Sequence, residues 1–318
     1  MISIPNIKEI ASIGDYLVKV PFNVNKKGLY TPAELYKGYD PQKTESFDTC
    51  YDTLVYKHFM EHGKNATEMK EALARSLHDF SMSTALDQFL ADKEPRRSVV
   101  IMGGHALKRT EKLYREIVWI SKRLTEDGYL MLSGGGPGAM EATHLGAWLA
   151  GRTKEEVNDA LDILSYAPTF HDKRWLSTAF RVMADYPQTQ YQSLGIPTWL
   201  YGHEPSTPFA THIAKFFENS IREDDILTFA FGGIIYTPGS AGTIQEVFQE
   251  AVQNHYLSFG YASPMVFMDC KFWTEEMPIY HVLQEMMKTG KYKNLMLSLS
   301  DNANDIINTI EEFGSKAI

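Results

Sequence analysis

A chain of 318 residues that is 44% hydrophobic and 22% charged carries enough apolar material for one large domain and a smaller appendage, which excludes global disorder. Its formal net charge of -9, with no dense Lys/Arg run, argues against polynucleotides and anionic membranes as partners; a small phosphorylated ligand stays open to it through backbone N–H groups and one or two arginines. Two cysteines, Cys50 and Cys270, at neither zinc-site nor disulfide spacing, fit a reducing cytosol.

In chain order, residues 1–10 include Pro5, Lys8 and Glu9 and lack the apolar stretch of a secretory signal. Residues 14–40 are rich in aromatics, glycine and proline and have no clear period. Apolar spacing predicts helices over residues 47–61 and 66–90, the second with Asn65 or Thr67 as N-cap. The proline-interrupted charged stretch Lys93-Glu94-Pro95-Arg96-Arg97 sets the domain boundary, so residues 1–97 form a mostly helical extension. From residue 98 to 318 the pattern becomes strand, glycine turn, helix, repeated, which predicts a Rossmann-like α/β domain with a doubly wound parallel sheet. Strands are predicted at 98–102, 129–132, 195–201, 234–237, 264–269 and 295–299, and helices at 113–124, 243–256 and 301–313. Residues 151–192 are too many for a plain crossover and hold extra helices; their run His171-Asp172-Lys173-Arg174 reads as a solvated helix face rather than a lid. The longest apolar run, residues 226–236, is far short of the roughly 20 that span a bilayer, so the expectation is a cytoplasmic protein.

Three strand ends carry glycine-rich turns that open helices: Gly103, Gly104 and His105 after the first; Gly134, Gly135, Gly136, Gly138 and Met140 after the second; Gly239, Ser240, Ala241, Gly242 and Thr243 after the fourth. Backbone without a Cβ lets an oxyanion approach closely, and the helix start supplies N–H groups and partial positive charge. One such loop is an ordinary turn. Three at the same end of a doubly wound sheet predict a phosphate site beside the first strand. The dinucleotide pattern G-x-G-x-x-G is absent after the first strand, as is Gly-Lys-Ser/Thr anywhere, so neither a nicotinamide cofactor nor a nucleoside-triphosphatase loop is expected.

These residues resemble a known family, the Lonely Guy (LOG) phosphoribohydrolases, formerly labelled lysine decarboxylases. The family's G-G-x-x-G-x-M is matched by Gly134, Gly135, Gly138 and Met140, and its P-G-G-x-G-T-x-x-E by Pro238, Gly239, Gly242, Thr243 and Glu246, with Ser240 at the second glycine and Gln245 at a frequent glutamate. The likeness spans roughly residues 98–313 and its fuller wording is similar to the larger bacterial nucleotide nucleosidases. It implies hydrolysis of the N-glycosidic bond of a nucleoside 5'-monophosphate to free base and ribose 5-phosphate, a homodimer or larger assembly, and catalytic roles for Glu246 and Arg222.

The chemistry is consistent on its own terms. Cleaving a ribose–base bond builds positive charge on the sugar, which a carboxylate such as Glu246 stabilises, or it draws a proton from water; an arginine assists the leaving base or holds the phosphate. From spacing alone Glu246 is equally the N3 residue of a capping box opened by Thr243. His105 is a weaker candidate for the ribose or phosphate, Lys108 and Arg109 read as surface charges, and Tyr201-Gly202-His203-Glu204-Pro205 reads as a surface turn, with ligand contact as its alternative. His144, His203, His212 and His255 lack ligand spacing, so neither metal nor any other cofactor is expected. The alternatives are a non-catalytic nucleotide or molybdenum-cofactor carrier, and a module in which nucleotide binding controls the extension.

Overall fold

The computed structural model describes residues 7–202 and 204–315, and the side chains from residue 13 onward; residues 1–6 of the segment read as lacking a signal, and His203, lie outside it. Four helices come first: α1 (Ile7–Lys19), α2 (Pro32–Leu35), α3 (Tyr51–Glu61) and α4 (Met69–Leu90). Seven strands follow, β1 (Ser98–Met102), β2 (Leu130–Ser133), β3 (Ser193–Gly195), β4 (His212–Ile213), β5 (Ile234–Tyr236), β6 (Pro264–Met268) and β7 (Met296–Ser300), interleaved with α5 (Lys112–Glu126), α6 (Ala139–Trp148), α7 (Lys154–Ser165), α8 (Trp175–Asp185), α9 (Asn219–Thr228), α10 (Ala241–Tyr256), α11 (Ile279–Lys288) and α12 (Ala303–Gly314). All strand pairs are parallel, in the order β4-β3-β2-β1-β5-β6-β7. This is the doubly wound, Rossmann-like sheet expected, with its topological reversal at β1 between β2 and β5.

The sequence Ser-Val-Val-Ile-Met of β1 is buried throughout because both faces of the sheet are covered. Val99 and Ile101 point into a core with Ile117, Val118 and Leu145 of α5 and α6 and Ile306 and Ile310 of α12. Val100 and Met102 point the other way, into a core shared with Ile226 of α9 and Val247 of α10. That second core also contains Phe22, Tyr30, Val55, Phe59, Met82 and Leu86, so the helices ahead of residue 98 form part of the layer covering this face. Tyr30 exchanges two backbone hydrogen bonds with Ile213 of β4, both 2.8 Å, adding one residue to the sheet's edge.

Several boundaries move for physical reasons. The third strand lies at Ser193–Gly195 instead of 195–201 because Pro197 has no N–H to continue the ladder; Ile196 N–H still reaches the Ser133 carbonyl at 2.9 Å. The helix expected over 47–61 is split, since Cys50 is extended (φ -70°, ψ 160°) between a 3₁₀ turn, Thr44–Thr49, and α3. The N-cap of α4 is Glu68, not Asn65 or Thr67. β4, two residues long, shows no period to detect, and α7 and α8 are the extra helices expected in 151–192.

Candidate active site

The loops leaving β1, β2 and β5 are stitched together by their own backbones. Gly104 N–H donates to the Pro238 carbonyl at 3.1 Å, and Ala139 N–H donates to the Gly104 carbonyl at 3.2 Å. Gly138, the N-cap of α6, sits at φ 69°, and a Cβ there would lie 2.4 Å from the Gly104 oxygen; no other residue fits this crossing of two loops. A Cβ at Gly103 would likewise fall 1.9 Å from Thr237 Oγ1.

Above these loops lies a cavity of about 410 Å³. Of the residues expected from sequence, Gly103, Gly104, His105, Gly134, Gly136, Met140, Arg222, Ser240, Ala241, Gly242, Thr243 and Glu246 line it. Gly135, Gly138 and Gly239 do not; they let the loops pack behind it, where Cβ atoms would meet Pro197 at 2.9 Å, Gly104 at 2.4 Å and Thr243 at 2.1 Å. The first turns of α6 and α10 both start at this cavity, and first-turn N–H groups lack intrahelical acceptors.

α10 begins earlier than a capping box at Thr243 requires. Its N-cap is Ser240, in extended conformation, and Ile244 N–H already donates to the Ser240 carbonyl at 3.1 Å. Glu246 therefore lies in the second turn, beyond reach of a capping role, with its side chain against Arg222. The Arg222 NH1 to Glu246 Oε1 distance is 3.7 Å, both residues being about nine-tenths buried. Among the described residues the Glu246 carboxylate is met by the charges of Arg222 and Glu223 and by no hydrogen-bond donor. Burial pushes its pKa up to about 7, against the pull of Arg222 and with a further push from Glu223.

Arg222 is aimed by its own helix. Asn219, one turn earlier on α9, accepts from Nε at 3.1 Å and from NH2 at 2.8 Å, and Glu223 accepts from NH2 at 3.4 Å. Glu223 is in turn fixed by Gln245 Nε2 at 2.7 Å, so α9 and α10 are latched beside the cavity. Asn219 and Glu223 are absent from the sequence-derived set, and Gln245 entered it only as a motif departure; an asparagine three residues before the arginine on one helix face is the signal that would have found the first.

Two expectations are corrected and one is extended. The segment after β3 is a surface turn, as expected, and it also borders the cavity: Tyr201, Gly202 and Glu204 wall it, and Glu204 Oε1 lies 3.5 Å from His105 Nδ1. Arg109 is buried, not a surface charge; its Nε and NH2 grip Glu141 at 2.9 and 2.5 Å, and NH1 donates to the Ala167 and Trp175 carbonyls. Tyr114 completes the Glu141 carboxylate at 2.9 Å, making a saturated pillar under the β2 loop. Residues 171–174 form the turn ahead of α8 rather than a helix face, and His171 and Lys173 border a neighbouring cavity of about 340 Å³ with Tyr39, Phe47 and Trp175. Lys108 is exposed, as expected. His144 bridges Ser133 and Ser193 at 2.8 and 3.0 Å, tying β2 to β3, and its burial holds the imidazole far below its ordinary range, at about 3.

No protein-family model and no curated protein sequence matches the chain. Among solved structures it is similar to TM1055, a structural-genomics target, at 16% identity over 68% of this chain and 98% of that one, with a TM-score of 0.44. It is similar to the molybdenum cofactor binding protein of Rippkaea orientalis at 13% identity over 68% and 94% of the two chains, TM-score 0.39. The Moco carrier protein of Chlamydomonas rheinhardtii is similar at 13% identity over 69% and 98%, TM-score 0.40.

Proposed function

We propose that the protein hydrolyses the N-glycosidic bond of a nucleoside 5'-monophosphate, as its resemblance to the LOG phosphoribohydrolases implies. One observation carries this reading: a buried carboxylate short of hydrogen bonds, Glu246, beside a single oriented guanidinium, Arg222, where three glycine loops converge. The phosphate takes the first-turn N–H groups of α10 and those of α6 beyond Ala139, whose N–H is held by Gly104, and this directs the sugar toward Glu246. A carboxyl with a pKa of about 7 is divided between its two forms near neutrality, suited to taking a proton from water as positive charge grows on the ribose. Arg222 contacts the departing base or the phosphate, held in aim by Asn219 and Glu223. The exposed Tyr201 ring offers a face for the base.

The test is a chromatographic screen of the common nucleoside 5'-monophosphates, without added metal or nicotinamide, for released base. Release from at least one is expected. Saturable binding of monophosphates with no base released from any of them would replace hydrolysis by carriage.

A further inference from the structure

The amino-terminal extension holds a cluster that the nucleotide reading leaves unused. The end of α3 reads His58-Phe59-Met60-Glu61-His62, the H-x₃-H spacing of zinc ligands, whereas the histidines weighed from sequence had none. Four residues apart on one helix, the two rings lie 4.1 Å apart between centroids. Glu71, in the first turn of α4 and 1% exposed, brings Oε2 to 3.1 Å from His58 Nε2, and one donor atom from each of the three lies within 4.8 Å of the others. We propose that His58, His62 and Glu71 bind a divalent transition metal of the zinc class.

The surroundings orient the donors. Arg75 Nε engages Glu71 Oε1 at 2.6 Å while its NH1 is anchored on the Gly63 and Lys64 carbonyls, which turns Oε2 toward the histidines. A carbonyl only accepts, so His62 Nδ1 donates to the His58 oxygen at 2.9 Å, and the His62 lone pair resides on Nε2. His58 Nε2 donates to the ionised Glu71; the metal takes that position and the proton passes through solvent to Nδ1, so the imidazole stays neutral. Ligands at about 2.0 Å in a tetrahedron stand about 3.3 Å apart, so the His58–Glu71 pair is already spaced for zinc, and the His62 donor, within 4.8 Å of the other two, has at most about 1.5 Å to close. The carboxyl end of α3 contributes negative partial charge, and both histidines are partly exposed, giving the ion a way in.

The full-length protein, stripped with a chelator and dialysed against zinc, is expected to retain one zinc per chain by mass spectrometry. Cobalt(II) should give the intense visible bands of four-coordination. His62→Ala, at a partly exposed position, should weaken zinc binding at least about tenfold while circular dichroism stays unchanged. Glu71→Gln should do the same, and His212→Ala should leave binding intact. No stoichiometric zinc in the wild type, or equal uptake by His62→Ala, overturns the site. Neither result depends on whether the cavity turns over nucleotides.

Discussion

Asp52 and Glu246 are both buried carboxylates, 0% and 8% exposed, but their surroundings are opposite. Asp52, on α3, takes both its oxygens to Lys215 Nζ at 2.8 and 2.9 Å and accepts from Trp199 Nε1 at 2.9 Å. Lys215 is itself completed by Ser206 Oγ at 3.1 Å. Glu246 has one charged neighbour at 3.7 Å and a pKa pushed to about 7 by burial. A buried charge with a donor on each oxygen and an opposite charge in contact locks two layers together. One left short of partners at the wall of a cavity is poised for something that is bound there.

The comparison is sharpened most by Glu246→Gln. The amide keeps size and some hydrogen bonding but removes the charge, so turnover should fall by about 10²- to 10⁴-fold with KM little changed. Stability should hold or rise, since a desolvated carboxylate is removed. Near-wild-type kcat in a folded variant would sink the catalytic assignment, and with α10 capped at Ser240 no capping role remains to explain the glutamate. Asp52→Ala is the converse test. It strands the Lys215 ammonium in a dry seam and should lower unfolding free energy by about 3–5 kcal/mol in urea titrations. Loss of less than about 1 kcal/mol would mean that water reaches the seam and the contrast is false.

How much of this was readable from sequence differs between the same two regions. The sheet was legible because strands buried on both faces are short apolar runs ended by glycine turns, and the three loops lie at strand ends where topology forces them together. The seam was not, because Asp52 and Lys215 stand 163 residues apart and nothing periodic connects them. Arg109 and Glu141 form a saturated buried pair across 32 residues, which is why Arg109 read as a surface charge. Asn219 acts through Arg222 rather than at the cavity wall, and Glu223 and Glu204 reach the cavity from elements whose approach depends on strand order rather than on local pattern.

Glu246 and a buried neighbour make stability depend on pH. Glu250, one turn after Glu246 on α10, accepts from Ser263 Oγ at 2.6 Å, yet burial raises its pKa to about 8. Both folded-state values exceed the ordinary 4.5, so between about 4.5 and 8 the folded chain binds more protons than the unfolded one. Their contribution is fully present below about 4.5 and is lost as pH rises through 7 and 8. Glu250→Gln cannot ionise and should flatten this slope, gaining on the order of 2–4 kcal/mol over the wild type at pH 9 relative to pH 5. Thermal melts of the two proteins across that range check it; parallel curves would show that Glu250 ionises without penalty.

The smallest expected effect joins the two regions. Asp79 on α4 accepts from Phe217 N–H at 3.0 Å and Glu218 N–H at 2.8 Å, just ahead of α9, and from His78 Nδ1 at 2.9 Å. A carboxylate of the extension thus anchors the start of the helix that carries Asn219, Arg222 and Glu223. Asp79→Asn keeps the shape but leaves one oxygen for three donors, and its NH₂ faces N–H groups that need an acceptor. Stability should fall by about 1–3 kcal/mol. If the anchor also sets where Arg222 points, kcat/KM should fall by up to about tenfold, short of the roughly 10²-fold that a 1 Å misplacement brings. The variant should be assayed well below its melting temperature, so that unfolding does not imitate lost activity. A stability loss with kcat/KM unchanged would confine Asp79 to the seam and separate the helices before residue 98 from the chemistry; a matching loss in both would make them part of the site's geometry, although among the described residues none before 98 lines the cavity.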